Sequence, residues 1–340
     1  MLALGEFAKI EGVFDWAASH AVRAAGTSSL RLFAIVFGVG ILTTALLSND
    51  ATIVVLTPAV IVALRRTDAP ALPYLFACAF VANAASFILP ISNPSNLLVF
   101  GNAMPGLGTW LRWLVLPSAI AVAVTAIGLG MLFRSSLRRG HAIHDDSLAD
   151  RPAASVLVTL AIAALVLIAV SARNGPLGAG ALSVAVLATL VLVVRRHDAL
   201  AALAAGIQWP IVPLTAALFV IVSAVDAAGA LGWTRALIER TSPLATGWAL
   251  ALASNIANNL PVGLNTGQTL TALHPDSAKS FAALIGVNLG PNLSTNGSLA
   301  TILWLAIVRK NGEQASPLSF LRTGLIVTPV ALTLALLALR

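Results

Sequence analysis

Charged residues are scarce in this sequence. They make up 10% of its 340 residues, whereas a soluble domain carries roughly 25%. Windows without any Asp, Glu, Lys or Arg span residues 69–111, 113–133, 152–172, 174–194, 241–275 and 280–308. Each window is long enough for one or two membrane spans of about 20 apolar residues. This scarcity excludes a soluble protein and predicts α-helical spans, because a helix satisfies its own backbone hydrogen bonds in lipid.

Cysteine is almost absent as well. Cys78 is the single cysteine, so no disulfide can form within the chain. The five histidines form no Cys/His cluster with it, and we expect neither a metal site nor a cofactor. The apolar windows also contain no Ser/His, HExxH or paired-Asp arrangement, which argues against an intramembrane enzyme.

The net charge of +7 has a membrane explanation. The basic residues lie in short loops between apolar runs, as the positive-inside rule describes. We therefore expect a lipid bilayer around this protein and no nucleic-acid partner. The most polar stretch, residues 134–152, predicts a cytoplasmic linker between a first repeat at residues 1–133 and a second at residues 153–340.

The two halves resemble one another. Gly12–Trp16 matches Gly229–Trp233, and an apolar run ending in polar residues follows each. A second apolar run in each half is broken by polar residues, at Pro90–Asn96 and at Pro291–Gly297. Paired interrupted segments are typical of secondary transporters with inverted repeats. The prediction is an all-α polytopic membrane protein with two inverted repeats, each containing a re-entrant helical hairpin and a broken transmembrane helix.

A topology can be drawn from these segments. The hairpins are predicted at residues 32–64 and 245–273, and the broken spans at 73–101 and 281–308. With the linker in the cytoplasm, 13 of the 20 Lys and Arg residues lie on the cytoplasmic side. The second half has two spans, residues 153–172 and 177–194, without a counterpart in the first, which predicts that roughly two and a half N-terminal helices of the full architecture are missing.

The polar residues at the two hairpin tips and the two breaks predict one substrate site at the membrane midplane. Non-helical backbone at this depth needs polar partners, and half-helix ends bind solutes. The predicted substrate-binding residues are Ser48, Asn49, Asp50, Ser92, Asn93, Asn96, Asn258, Asn259, Asn292, Ser294, Thr295 and Asn296, with Ser95 beside them. The same residues also suit helix capping, most clearly Asn93 before Pro94, and a capped half-helix is how such a site is built.

Two acidic residues are predicted to carry protons. An acid at membrane depth is costly and therefore points to function. Asp50 is the first candidate and Asp226, in the apolar run 207–230, is the second. Asn83, Asn255, Asn265 and Asn288 also lie in apolar runs, where a single Asn more often forms hydrogen bonds between helices.

As a set, these motifs resemble the ArsB-type arsenite and antimonite efflux permeases of the ion transporter superfamily (ArsB/NhaD-like). The likeness runs from about residue 11 to residue 337. It rests on Ser48–Ala51 with Leu56–Pro58, Ala79–Ser86 with Ser92–Asn93, Asn258–Pro261, and Leu289–Ser294 with Gly297–Thr301.

This resemblance implies efflux of arsenite or antimonite driven by the proton gradient, in the cell (inner) membrane. It also implies a homodimer and, as in some members, a partner ATPase. Two alternatives remain open: a sodium/proton or small-anion permease of the same fold, and a non-transporting truncated membrane protein. Sodium dependence or inhibition by dicarboxylates favours the first alternative, and a folded protein without flux favours the second.

Overall fold

The computed structural model describes residues 2–144, 149–173, 175–195, 198–206 and 232–339, with scattered positions between 209 and 229. The described residues are almost entirely helical, and their only β-type pairing is one isolated bridge. The helices are α1 Leu2–Ile10, α2 Val13–Ala25, α3 Ser29–Leu46, α4 Asn49–Leu64, α5 Leu72–Ala84, α6 Pro94–Phe100, α7 Leu107–Leu132, α8 Arg134–Leu137, α9 Ala154–Ala172, α10 Leu177–Arg195, α11 Ala199–Gly206, α12 Gly232–Arg240, α13 Pro243–Ala257, α14 Asn259–Leu273, α15 Ser277–Leu289, α16 Leu299–Lys310 and α17 Pro317–Leu337.

Among the described residues, five helices are long and apolar enough to cross a membrane. These are α3, α7, α9, α10 and α17, of 18 to 26 residues each. At 1.5 Å per residue they reach about 27–39 Å, against a hydrocarbon core of about 30 Å. Large apolar side chains are exposed along these helices, for example Leu165 and Leu182. Lipid is the solvent that such a surface requires, so the prediction of a polytopic helical membrane protein is confirmed.

Two pairs of consecutive helices occupy the segments for which the sequence predicts hairpins. The first pair, α3 and α4, turns at Leu47 and Ser48, and the second pair, α13 and α14, turns at Asn258. Helix α4 contains one π-helical turn, Thr52–Leu56, between two α-helical parts.

Two further helices are interrupted. The first broken helix consists of α5 and α6, and the residues between them are called the first break (residues 85–93). The second broken helix consists of α15 and α16, and the second break is residues 290–298. Pairing the proline motifs at Pro90 and Pro291 implies an offset of 201 residues between the halves. The helix bounds give 205 instead, since α5 and α15 start and end 205 residues apart and α6 and α16 start 205 apart. Pro90 and Pro291 therefore lie at different points of the two breaks, four residues apart when the flanking helices are compared.

Each helix pair packs against the broken helix of the other half. Helix α4 of the first pair contacts α16 of the second broken helix, and α14 of the second pair contacts α6 of the first. The contact of α14 with α6 is close because a small residue faces the neighbouring backbone: a Cβ atom added at Gly267 would overlap the carbonyl oxygen of Leu98. The second break lies equally close to its own helix pair, since a Cβ atom added at Gly290 would lie 2.5 Å from the Ala251 Cα atom of α13. Small residues permit such approach between membrane helices, where dispersion forces replace the hydrophobic effect.

An aromatic cluster joins α5, α16 and α17. Phe76 lies 5.3 Å from Trp304 and Phe80 lies 4.9 Å from Phe320, measured between ring centroids. The Trp304 indole N–H donates to the carbonyl of Leu75 at 3.0 Å, so its one polar atom is satisfied. This cluster fixes the first broken helix against the second half of the chain.

The described part of the linker folds back on the first helix pair. Ile143 forms an isolated antiparallel bridge with Thr67, and the Asp68 carboxylate accepts from the Ala142 N–H at 2.6 Å. His141 is buried, its Nδ1 atom lies 3.0 Å from the Ser29 hydroxyl, and its Nε2 atom has no partner. The linker thus holds both ends of the first pair, at the start of α3 and just after α4.

Candidate functional site

Four helices begin in the polar region formed by the two tips and the two breaks, and a side chain caps each of them; Ser48, Asn93 and Ser298 are buried there and Asn258 is partly exposed. In each case a side-chain oxygen accepts a hydrogen bond from a backbone N–H of the first turn. The pairs are Ser48 with the N–H of Ala51 (3.2 Å), Asn93 with that of Ser95 (3.0 Å), Asn258 with that of Leu260 (3.3 Å) and Ser298 with that of Thr301 (3.2 Å). The predicted capping by Asn93, with Pro94 in the first helical position, is confirmed. Each helix start directs a positive partial charge towards the region.

The tip of the first pair holds three predicted site residues. Ser48 and Asn49 are buried, and Asp50 is partly buried in the first turn of α4. The Asn49 Oδ1 atom is buried without a hydrogen-bond partner. A buried acceptor left unpaired costs free energy, and such atoms are often satisfied by a ligand or an ordered water. This atom marks a position where a donor from a solute can bind.

The first break lies against this tip. The Ser92 hydroxyl donates to the carbonyl of Ala45 at 3.1 Å. The Asn96 amide donates to three carbonyls of the break, those of Ser86 (2.9 Å), Leu89 (3.2 Å) and Pro90 (3.2 Å), and the Leu89 carbonyl also accepts from the Ser92 N–H. Asn96 therefore replaces the helical hydrogen bonds that the chain loses at the break.

The second break lies in the same way against the tip of the second pair. The Asn259 N–H donates to the carbonyl of Gly297 at 2.9 Å, and the Asn258 amide donates to the carbonyl of Asn296 at 3.2 Å. Asn258 has φ 72° and ψ 149°, a backbone conformation close to one that glycine almost alone adopts. The strain of such a residue is of order 1–3 kcal/mol, and strained residues cluster at functional sites.

A network of amides and hydroxyls joins the two breaks, and we call it the polar cluster. Its members are Asn83, Ser86, Asn93, Ser95, Asn96, Asn288 and Asn292, all buried. Asn288 is its centre, since the Asn288 Oδ1 atom accepts from Ser86, Asn93 and Ser95. Every member is uncharged, and residues 69–111 and 280–308 contain no Lys or Arg. The cluster therefore consists of amide and hydroxyl groups, bonded to one another, and carries no full charge.

The structure brings the predicted site residues together in three neighbouring groups. Asn93, Asn96 and Asn292 belong to the polar cluster. Ser48, Asn49, Asp50 and Ser92 lie where the first tip meets its break, and Asn258, Asn259, Ser294, Thr295 and Asn296 lie where the second tip meets its break. Asp226, the second predicted proton carrier, lies outside the described residues. In the described part of the chain, no three His, Cys, Asp or Glu side chains are placed to hold a metal ion.

Sequence reasoning missed Asn83 and Asn288, which it treated as single residues bonding between helices. They do bond between helices, but at the centre of the site. A signal for them exists in the spacing. Asn83 lies ten residues before the cap Asn93, and Asn288 lies ten residues before the cap Ser298.

Comparison with known proteins agrees with this architecture. A family model described as a citrate transporter (CitMHS) matches residues 1–289. An arsenical pump membrane protein of Yersinia enterocolitica is 30% identical over 97% of this chain and 82% of its own length. Its counterpart in Escherichia coli K12 is 29% identical with the same coverage. An uncharacterized transporter of Mycobacterium tuberculosis H37Rv is 27% identical over 95% of this chain and 80% of its own length.

These matches confirm the resemblance to ArsB-type permeases that the motifs predict. The matched proteins named above are membrane transporters, and the apolar helices of this chain suit the same surroundings. A transporter of this kind takes a small molecule or an ion as its substrate and works in a lipid bilayer. The chain therefore belongs to the citrate transporter family and is a multi-pass transporter of the inner membrane.

Proposed function

We propose that this chain is a secondary active transporter, not an enzyme, which exports arsenite or antimonite in exchange for protons. The observation that carries the proposal is the uncharged polar cluster, together with one acid, Asp50, in the first turn of α4 at the tip of the first pair. Arsenite at neutral pH is an uncharged trihydroxide with three O–H donors and three oxygen acceptors. Asn side chains supply both donors and acceptors without charge, so they match such a solute. The relatives named as arsenical pump proteins support the same substrate.

A second candidate is a small carboxylate such as citrate. The name of the family favours it, and so do the four helix starts, whose partial positive charges attract anions. A di- or trianion leaving water usually gains a Lys or Arg partner, because a buried charge needs compensation. The sequence around both breaks lacks these residues, so the neutral trihydroxide is the better match.

The proposed mechanism uses two inverted repeats. Several equivalences support them. Gly12 and Gly229 both precede a helix and both have positive φ, 72° and 74°. The contacts are also reciprocal: α4 of the first pair packs against α16 of the second broken helix, and α14 of the second pair packs against α6 of the first.

Each helix pair is proposed to be a re-entrant hairpin. Helices α4 and α14 have 16 and 15 residues, which gives about 24 Å and about 22 Å at 1.5 Å per residue. Both are shorter than the hydrocarbon core of about 30 Å. Helices of this length end inside the membrane at the capped starts, where the two tips can open the site to one side or the other.

Asp50 is proposed to carry the proton. It lies in the first turn of α4, directly after the unpaired Asn49 oxygen. A carboxylate at this tip meets solute and water alternately as the pair moves, so it can take up a proton on one side and release it on the other. Asp226 is proposed as a second carrier.

Arsenite flux in proteoliposomes separates binding from proton coupling. With a pH gradient imposed, we expect the wild-type chain to drive arsenite uphill and Asp50→Asn to lose this activity. Exchange of labelled for unlabelled arsenite needs no net proton movement, and we expect Asp50→Asn to retain it. Asp15→Asn is the matched control, because it makes the same chemical change at an exposed acid of α2.

The other outcomes decide between the alternatives. Uphill flux that persists in Asp50→Asn would refute the coupling role, and Asp226→Asn would then be tested in the same way. Flux of citrate but not arsenite, or a requirement for sodium, would support the alternative permease. The homodimer and the partner ATPase are also proposals, tested by light scattering of the purified protein and by the effect of ATPase co-expression on arsenite resistance.

A further inference from the structure

Asn83 and Asn288 occupy the same place in the two broken helices. Each is the penultimate residue of the helix before a break, Asn83 in α5 and Asn288 in α15. Both have 0% exposure. Each side chain bonds to the break of the other half, so the two residues make reciprocal contacts.

Asn288 organises the first break from the second half of the chain. Its contacts there are Ser86 Oγ (2.9 Å), Asn93 Nδ2 (2.7 Å), Ser95 Oγ (3.0 Å) and Asn96 Oδ1 (3.0 Å). The Asn288 oxygen accepts the first three bonds and its amide nitrogen donates the fourth. An amide oxygen has two lone pairs, so three donors must share them and no free acceptor remains on this atom. Removing Asn288 would leave several buried polar groups unpaired at once, which costs more than the bonds themselves contributed.

Asn83 does the same for the second break, with fewer bonds. Its amide donates to Asn292 Oδ1 at 2.9 Å, and its oxygen accepts from the Ser298 hydroxyl at 3.4 Å. Asn292 in turn donates to the carbonyl of Phe80 at 3.0 Å. Ser298 caps α16, so Asn83 contacts the cap of the opposite half just as Asn288 contacts Asn93, the cap of α6.

We propose that Asn83 and Asn288 are reciprocal positioning residues, each of which sets the geometry of the other half's break. The starts of α6 and α16 are thereby held in one fixed arrangement around the solute. The first break has one direct hydrogen bond to its own helix pair among the described residues, from Ser92 to Ala45. The second break is bonded to its own pair as well, through Asn255, Asn258 and Asn259. The two breaks are therefore held together, and the first helix pair is the one with the fewest polar contacts to them. This inference rests on the proposed role of the breaks in the substrate path.

Hydrogen–deuterium exchange of the purified protein tests the reciprocity without any substrate. We expect Asn288→Leu to speed amide exchange in residues 85–96 by about tenfold or more, because buried hydrogen bonds there are lost. Asn83→Leu should speed exchange in residues 290–298 instead. Asn265→Leu is the matched control, since Asn265 is buried and bonds to Thr234 of α12, away from both breaks. If Asn288→Leu speeds exchange only in residues 290–298, and Asn83→Leu only in residues 85–93, the proposal is wrong.

Milder variants cover the case in which a Leu variant does not fold. Ser95→Ala and Ser298→Ala remove the side-chain donors that Asn288 and Asn83, respectively, accept from the opposite half. The first should loosen residues 85–96 and the second residues 290–298. If neither variant changes exchange in its break, the proposal is wrong.

Transport kinetics give a second readout. Asn288→Leu should raise the KM for arsenite by about tenfold with a smaller effect on the maximal rate, since it displaces binding groups. Asn288→Asp keeps the accepting oxygen and should recover part of the KM. An equal loss of maximal rate in both variants would indicate a merely structural role. If the wild-type chain moves no arsenite, the proposed function fails, while the exchange experiment still decides the positioning role.

Discussion

The packing of α13 against α15 makes a sharp prediction about glycine. Gly286 of α15 faces Gly247 of α13 so closely that an added Cβ atom would lie 2.9 Å from the Gly247 carbonyl carbon and 3.1 Å from its Cα atom. The Gly247 carbonyl oxygen would be nearer still. We therefore expect Gly286→Ala to destabilise the protein by forcing two helix backbones apart.

The size of the effect follows from these distances. Non-bonded carbon atoms prefer about 3.5–4.0 Å, so the helices must separate by roughly 0.5–1 Å. Forcing extra atoms into a packed interior costs about 1–3 kcal/mol. Gly38 of α3 provides the opposite case, since no heavy atom lies within 4 Å of an added Cβ atom. There the same substitution should stabilise, by up to about 1 kcal/mol, because alanine favours helix.

Cys78 supplies the assay. It is the single cysteine and has 0% exposure, so a thiol-reactive fluorophore should label it only as the protein unfolds. Heating the purified protein in detergent with this reagent gives an unfolding midpoint. A loss of one or two kcal/mol changes the folded-to-unfolded ratio by a factor of about 5–30. We expect a lower midpoint for Gly286→Ala and an equal or higher one for Gly38→Ala. Equal midpoints for the two variants would contradict the close approach of α13 and α15.

Two further predictions concern the linker and the second tip. Burial lowers the pKa of His141 from its ordinary value of 6.5, while the Asp68 carboxylate raises it in part. The unfolded chain then binds more protons than the folded one. The buried, neutral His141 therefore contributes its full share of stability above the pKa that it has in the unfolded chain, and this share is lost as the pH falls below that value. When the pH is lowered from about 7.5 to about 5.5, the unfolding midpoint of the wild type should fall by more than that of His141→Gln. An identical fall in the two proteins would refute this assignment. Asn258→Gly should relieve backbone strain of order 1–3 kcal/mol and lose one cap, so we expect a raised or unchanged midpoint with reduced arsenite flux, and a lowered midpoint would contradict the strain.

Much of the fold can be predicted from the sequence. In lipid, a long stretch without charge is stable as a helix. The absence of Asp, Glu, Lys and Arg therefore locates α9, α10 and the end of α7 to within three residues, whereas α7 begins at Leu107, six residues before the charge-free window that starts after Arg112. The two interruptions are also predictable, because a proline followed by Asn and Ser cannot continue a helix smoothly. The cap at Asn93 follows from the same local chemistry.

The correspondence of the two breaks in detail, and the central residue of the polar cluster, could not be predicted in this way. Proline has a strong local effect, but it is free to lie at different points of the two breaks, so Pro90 and Pro291 do not show which residues correspond. Asn288 looked like any single Asn in an apolar run. Its role depends on Ser86, Asn93 and Ser95, about 200 residues away along the chain, and only tertiary contacts bring them together.

The π-helical turn at Thr52–Leu56 bears on the history of the chain. It makes α4 sixteen residues long where α14 has fifteen. A helix whose two ends are held absorbs one added residue as a turn of this kind, and such turns often persist at functional sites. If the halves arose from one ancestral segment, a single codon was gained or lost in one copy after duplication. Any alignment of the halves then needs a one-residue gap here, and without that gap the residues after Leu56 are compared with partners displaced by about 100° around the helix axis.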